Sequence, residues 1–171
     1  MTSIDTFAEV AVADDVAPAE LDAKRSLRVA ILGAGMIGNV HRRSALLAGA
    51  TVVGVMASSP ARSLEVARDW NVERGFADID EVVASDVDVV HICTPNATHV
   101  PYALKAVAAG KHVIVEKPLG ISLDQAQALA VAVEEADVVA TVPFVYRFHP
   151  LVREIRARYL AGEFGTWNLL H

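Results

Sequence analysis

Residues 27–38, LRVAILGAGMIG, limit what this chain can fold into more than any other stretch. An unbroken apolar run closes on Gly33, Gly35 and Gly38, spaced G-x-G-x-x-G. An apolar run without alternation is a strand buried on both faces, the condition of a parallel sheet covered by helices. Each glycine then has its own task. Gly33 allows a tight turn, Gly35 leaves the backbone bare, and Gly38 lets the following helix pack closely on its strand. The first turn of that helix, Met36 and Ile37 included, offers free N–H groups and a partial positive charge to a pyrophosphate. A glycine turn without a ligand is the plain alternative, and the strand before and the helix after the motif weigh against it.

The pattern recurs along the chain. Apolar runs at 51–58, 87–95, 111–118 and 137–144 read as further buried strands, with a shorter piece at 74–77. Between them, Val100, Ala103, Leu104 and Val107 keep helical spacing, and Gly110 ends that helix. Leu123, Ala126, Leu129, Ala130 and Val133 form another apolar stripe, with Ser122 and Gln125 as a capping box at its start. Strands alternating with helices predict an α/β chain: a Rossmann-type doubly wound parallel sheet with right-handed crossovers. Residues 27–145 form that domain. Residues 1–26, acidic and alanine-rich, read as a flexible N-terminal extension.

Composition excludes several classes. The formal charge is −6 with a pI near 5.4, against the basic face a nucleic-acid binder needs. No run of eighteen apolar residues occurs, which predicts no membrane span. The N-terminus lacks the basic-then-apolar order of a secretory signal. A single cysteine, Cys93, suits a reducing compartment, so a cytoplasmic location is expected.

The end of the second strand bears on which dinucleotide binds. An NAD site usually places Asp or Glu there to hold the ribose 2′-hydroxyl. This chain has VMASSPARS at 55–63 and no acid before Glu65. Ser58 and Ser59 can donate to a 2′-phosphate and Arg62 can pair with it. Arg42 and Arg43 on the first helix are further candidates. NADP is therefore the first expectation and NAD the second. In the plain alternative the serines cap the next helix and Arg62 is solvated.

Two polar clusters fall where strands of such a sheet end, the place where ligands sit. One is Thr94, Asn96 and His99; the other is Glu116 and Lys117. Neighbours on an extended chain point opposite ways, so Glu116 and Lys117 are expected to face different partners. His99 reads equally as a surface residue or as one facing a ligand. His91 reads as a packed residue within its strand, and Cys93 as a small buried hydrophobe.

GAGMIG, TPNATH, AGKHVIVEKPLG and YRFHP occur in this order, and together they resemble the Gfo/Idh/MocA oxidoreductases, which include glucose–fructose oxidoreductase and inositol dehydrogenases. The resemblance runs from about residue 27 to the C-terminus. It implies hydride transfer between a nicotinamide dinucleotide and a hydroxyl of a sugar or polyol. It implies a catalytic Lys117 beside the nicotinamide, touching the reacting hydroxyl, with Glu116 near the nicotinamide ribose. Thr94, Pro95, Asn96 and His99 would line the same half of the cofactor, and Arg147 would also face it.

Members of that family continue into a second, largely antiparallel domain with an Asp-x-x-x-His acid/base pair. Residues 146–171 resemble a linker helix and the truncated start of that α+β domain, and no such motif follows. The expectation is a truncated member or fragment, forming a homo-oligomer when the second domain is present. The competing expectation is a non-catalytic nucleotide-binding or redox-sensing module.

Overall fold

The structure is a computed structural model that describes residues 26–166; expectations for residues 1–25 and 167–171 lie outside the described residues. Six strands form one parallel sheet: β1 (Arg28–Leu32), β2 (Thr51–Met56), β3 (Arg74–Phe76), β4 (Val89–Ile92), β5 (His112–Val115) and β6 (Ala140–Thr141). Their order is β3-β2-β1-β4-β5-β6, so the chain doubles back beside β1 and a crevice opens between β1 and β4. The helices are α1 (Met36–Leu47), α2 (Pro60–Trp70), α3 (Ile79–Val83), α4 (His99–Ala108), α5 (Leu123–Glu134) and α6 (Pro150–Leu160). Among the described residues, no helix is long and apolar enough to cross a membrane, and no group of three His, Cys, Asp or Glu is placed to hold a metal.

Strand parity sorts the core into two layers. Ala30, Leu32, Val90, Ile92, Val113 and Val115 face one side, where Val100, Ala103 and Val107 of α4 and Leu129 of α5 cover them. Val29, Ile31, Val52, Val89 and Ile114 face the other, with Ala45 of α1 and Trp70 of α2. Apart from Ile114 and Trp70, which are half-buried, these side chains are almost wholly shielded from water, which is why the strands read as unbroken apolar runs rather than alternating ones.

Most of the helix ends follow the side chains available. Ser122 accepts from the Gln125 N–H, while the Gln125 side chain accepts from the Ile121 N–H, a capping box displaced by one residue. Gly110 follows α4 with φ +70°, closing it as expected. Helix α3 is too short for periodicity to show. Its signal was local: Asp78 caps the Glu81 N–H and Glu81 returns to the Ala77 N–H at 2.6 Å. The run at 137–144 yields only a two-residue strand, on the sheet edge, because β5 is its single partner and Pro143 has no N–H to donate. Beyond it, Phe144, Tyr146, Phe148 and Leu151 are exposed, and α6 has no buried residue.

Candidate cofactor site

The parallel ladder runs one residue past each strand and so aligns the site. The Gly33 N–H donates to Met56, the Cys93 N–H to Leu32 and the Glu116 N–H to Ile92. Gly33, Cys93 and Glu116 therefore stand in a row on the carboxyl edge, at the reversal of strand order. A cleft of about 620 Å³ opens there, lined by Gly33, Ala34 and Gly35, the 56–58 corner with Arg62, and Cys93, Thr94, Pro95, Thr98 and Tyr102.

The glycine loop has the turn expected at Gly33 and the close packing expected at Gly38. Gly33 has φ +99°, and a Cβ there would lie 2.5 Å from the Cys93 carbonyl oxygen. A Cβ on Gly38 would run into the Gly33 carbonyl. Gly35 is different: a Cβ there meets no protein atom within 4 Å. No packing inside the protein requires glycine at that point. Gly35 also caps α1 without a side chain, and the first turn carries no acid. The early N–H groups and the positive end of the helix dipole thus face the cleft uncompensated.

At the end of β2, Ser63 is buried; its hydroxyl accepts from the Ala57 N–H and donates to the Ser59 carbonyl, fixing the corner. Ser59 caps α2 by accepting from the Arg62 N–H, as in the plain alternative for that serine. Arg62 lines the cleft but pairs with Glu65 at 2.7 Å, and that carboxylate holds the guanidinium above its ordinary value. Arg42 does not reach this corner. It lies over the Trp70 ring and donates to the Trp70 carbonyl, which keeps it between α1 and α2.

At the ends of β4 and β5 the side chains are tightly engaged. His99 is 1% exposed, with Nδ1 2.8 Å from the Pro118 carbonyl and Nε2 2.8 Å from the Thr94 carbonyl. Both expectations for His99, at the surface or facing a ligand, give way to a third. It sits between the two loops, where the neutral ring donates its one N–H to either the Thr94 or the Pro118 carbonyl. The Thr98 hydroxyl lies 2.7 Å from both the Thr94 hydroxyl and the Pro95 carbonyl, and donates its one proton to either.

Glu116 turns inward. One carboxylate oxygen lies 3.1 Å from His41 Nε2, and the other accepts the Lys117 N–H at 2.9 Å. His41 Nδ1 lies 3.1 Å from His91 Nδ1, so three buried or half-buried side chains form a chain from β4 through α1 to β5. Burial and the neighbouring His41 push His91 down to about 4, which keeps it neutral at ordinary pH. Burial, then the Glu116 charge, pushes the Cys93 thiol up to about 12, so it behaves as the small hydrophobe anticipated. Lys117 is exposed beside this chain, and its bond to Pro118 is cis.

Of the residues singled out in the sequence, Gly33, Gly35, Ser58, Arg62, Thr94 and Pro95 line one cleft. Met36, Ile37 and Gly38 continue it into the first turn of α1. Glu116 and Lys117 stand at the neighbouring strand end. Asn96 lies in the exposed 3₁₀ turn Asn96–Thr98, and Arg147 is exposed in the turn Val145–Phe148, neither of them in the cleft wall. Tyr102 was missed, since its position on α4 looks like an ordinary helix face. His41 was missed too: its only signal is a polar residue among the buried positions of α1.

A parallel sheet reversing beside a bare glycine turn is the architecture of dinucleotide-binding domains. A sequence profile of the Gfo/Idh/MocA group, described as "Oxidoreductase family, NAD-binding Rossmann fold", matches residues 27–144, and the chain belongs to that family. It is 35% identical over 145 residues to scyllo-inositol 2-dehydrogenase (NAD(+)) of Bacillus subtilis, covering 83% of this chain and 42% of that protein. It is 33% identical to 1,5-anhydro-D-fructose reductase of Ensifer adhaerens, covering 81% of this chain and 42% of that protein. Among solved structures, levoglucosan dehydrogenase in complex with NADH and levoglucosan superposes with a TM-score of 0.76 at 29% identity, covering 82% of this chain and 41% of that one. The chain thus spans less than half the length of these relatives.

Proposed function

We propose that this chain supplies the cofactor half of an NAD(P)-dependent oxidoreductase acting on a hydroxyl of a sugar or polyol. The observation that carries the reading is the open space at Gly35, in a cleft at the strand reversal and under an uncompensated helix N-terminus. Relatives named for inositol, anhydrofructose and levoglucosan chemistry support the substrate class.

When bound, the nicotinamide supplies the hydride acceptor or donor. The N–H groups of Gly35, Met36 and Ile37 hold the pyrophosphate. Ser58, Ser59 and Arg62 stand toward the adenosine ribose. Thr94 and Pro95 would border the nicotinamide half, while Asn96 and Arg147, outside the cleft wall, would have to turn toward it to take part. Lys117 would present its ammonium group to the reacting oxygen, donating a hydrogen bond that orients it and stabilises negative charge there. His99 and Glu116 serve this geometry from below. The low cysteine content fits a reducing cytoplasm, and the exposed apolar residues after β6 fit assembly with further protein surface, in a homo-oligomer once a substrate domain is attached.

The chain accepts NADPH in preference to NADH on this reading, although the family carries an NAD-binding description. Ser58 and Arg62 line the cleft where an acid usually selects NAD. Arg62 would exchange an exposed neighbour on its own helix, a weak and salt-screened partner, for a more highly charged phosphate. Fluorescence titration with NADH and NADPH tests both layers. Binding of either supports the cofactor half. Roughly tenfold tighter NADPH, reduced to parity in Arg62→Ala, supports the preference. Equal affinities in the unaltered chain overturn the preference, and no binding of either overturns the reading.

A further inference from the structure

Strand parity and helix phase bring three titratable side chains from separate elements to one buried point. His91 shares the β4 face of Val89, and Glu116 continues the β5 face of Ile114; both residues therefore look toward α1. His41 descends from α1 between them, 8% exposed. A carboxylate only accepts hydrogen bonds, so His41 Nε2 carries the proton in that contact. With Nε2 donating to Glu116, the neutral His41 ring has Nδ1 left as an acceptor, and the His91 Nδ1–H donates to it.

We propose that His41 is a positioning residue for the nicotinamide end of the site. It fixes the Glu116 carboxylate, whose second oxygen holds the Lys117 N–H, and so sets the direction in which Lys117 leaves the strand. The same residue sits on the helix whose N-terminus forms the pyrophosphate cradle. One imidazole thereby registers the two halves of the cofactor site against each other. The inference rests on the dinucleotide reading above.

The test separates positioning from mere packing by comparing two ligands, NADH and ADP-ribose, which lacks the nicotinamide. In His41→Leu, NADH affinity is expected to fall roughly tenfold while ADP-ribose affinity stays within about twofold. Circular dichroism establishes that the variant is folded. His41→Gln places an amide donor near the Nε2 position and should recover most of the NADH affinity. Glu116→Gln should reproduce the loss, because its single carbonyl oxygen cannot serve both His41 and the Lys117 N–H; it also tests the chain if His41→Leu does not fold. Equal losses for both ligands would show that His41 merely supports α1, and would overturn the proposal. Unchanged NADH affinity in His41→Leu or Glu116→Gln would overturn it as well. Failure of the unaltered chain to bind either ligand overturns the dinucleotide reading and this inference with it.

Discussion

At the β1–α1 end of the cleft the protein holds its shape with bare backbone. Gly33 and Gly38 touch main-chain carbonyls, and Gly35 faces open space. At the β4–β5 end it works through side chains. His99 is closed between two carbonyls, and Glu116, His41 and His91 form a buried polar chain. The proposed function accounts for the difference. A pyrophosphate would be bound by N–H groups and a helix dipole, so a side chain there would obstruct it. A hydride-transfer site would need one ammonium group held in a fixed direction.

The sharpest way to break this contrast lies within the glycine loop itself. Gly38→Val drives a side chain into the Gly33 carbonyl and should cost about 3 kcal/mol or more, enough to abolish a cooperative urea transition in a marginal domain. The Cβ of Gly35→Val meets no protein atom within 4 Å, so the urea midpoint should stay nearly unchanged, while NADH affinity falls roughly 100-fold. Similar behaviour of the two variants would mean that the open space at Gly35 has no ligand.

The second expected effect concerns acid. His91 is held down to about 4 in the folded chain, so the unfolded chain takes up that proton first as pH falls. Stability is retained above about pH 6.5 and lost progressively down to about pH 4, by up to about 3 kcal/mol for this one group. Urea unfolding from pH 7 to 4.5 should show a shallower decline in His91→Leu than in the unaltered chain. Parallel curves would show that His91 is not the source of the acid sensitivity, although His41 and Glu116 face the same point.

A smaller effect is expected from His99→Leu. One of the part-buried Thr94 and Pro118 carbonyls loses its hydrogen-bond donor, at about 1 kcal/mol, visible as a lower thermal midpoint with α1 unaffected. An unchanged midpoint would remove His99 from the account of how the two loops are held. The smallest expected change tests the adenosine side. Glu65→Gln frees Arg62 and removes a negative charge near the 2′ corner, so NADPH affinity should rise roughly two- to threefold with NADH unchanged. A rise for both cofactors, or for neither, would dissociate Arg62 from 2′-phosphate recognition.

The strands, their parallel pairing and the glycine loop were legible because each depends on residues adjacent in sequence. Apolar runs report burial on both faces, and G-x-G-x-x-G between a strand and a helix reports a backbone that something must approach. Ser122 and Gly110 mark helix ends for equally local reasons. The sheet edge was harder: the residues after 137 are as apolar as those of β5, but only a partner strand decides how far pairing extends.

What the sequence by itself determined is therefore the class of fold and the strand ends that border the cleft. The direction of the polar side chains was decided in three dimensions. His99 turns under the loops because the carbonyls of Thr94 and Pro118, five and nineteen positions away, converge on it. Glu116 faces His41, seventy-five positions distant, because β5 parity points it toward α1. Arg62 is held by its own helix and Arg42 by Trp70. A side chain's character is written locally, but its hydrogen-bonding partners come from whichever strands and helices the sheet order places beside it, and that order is fixed only when the whole sheet is assembled.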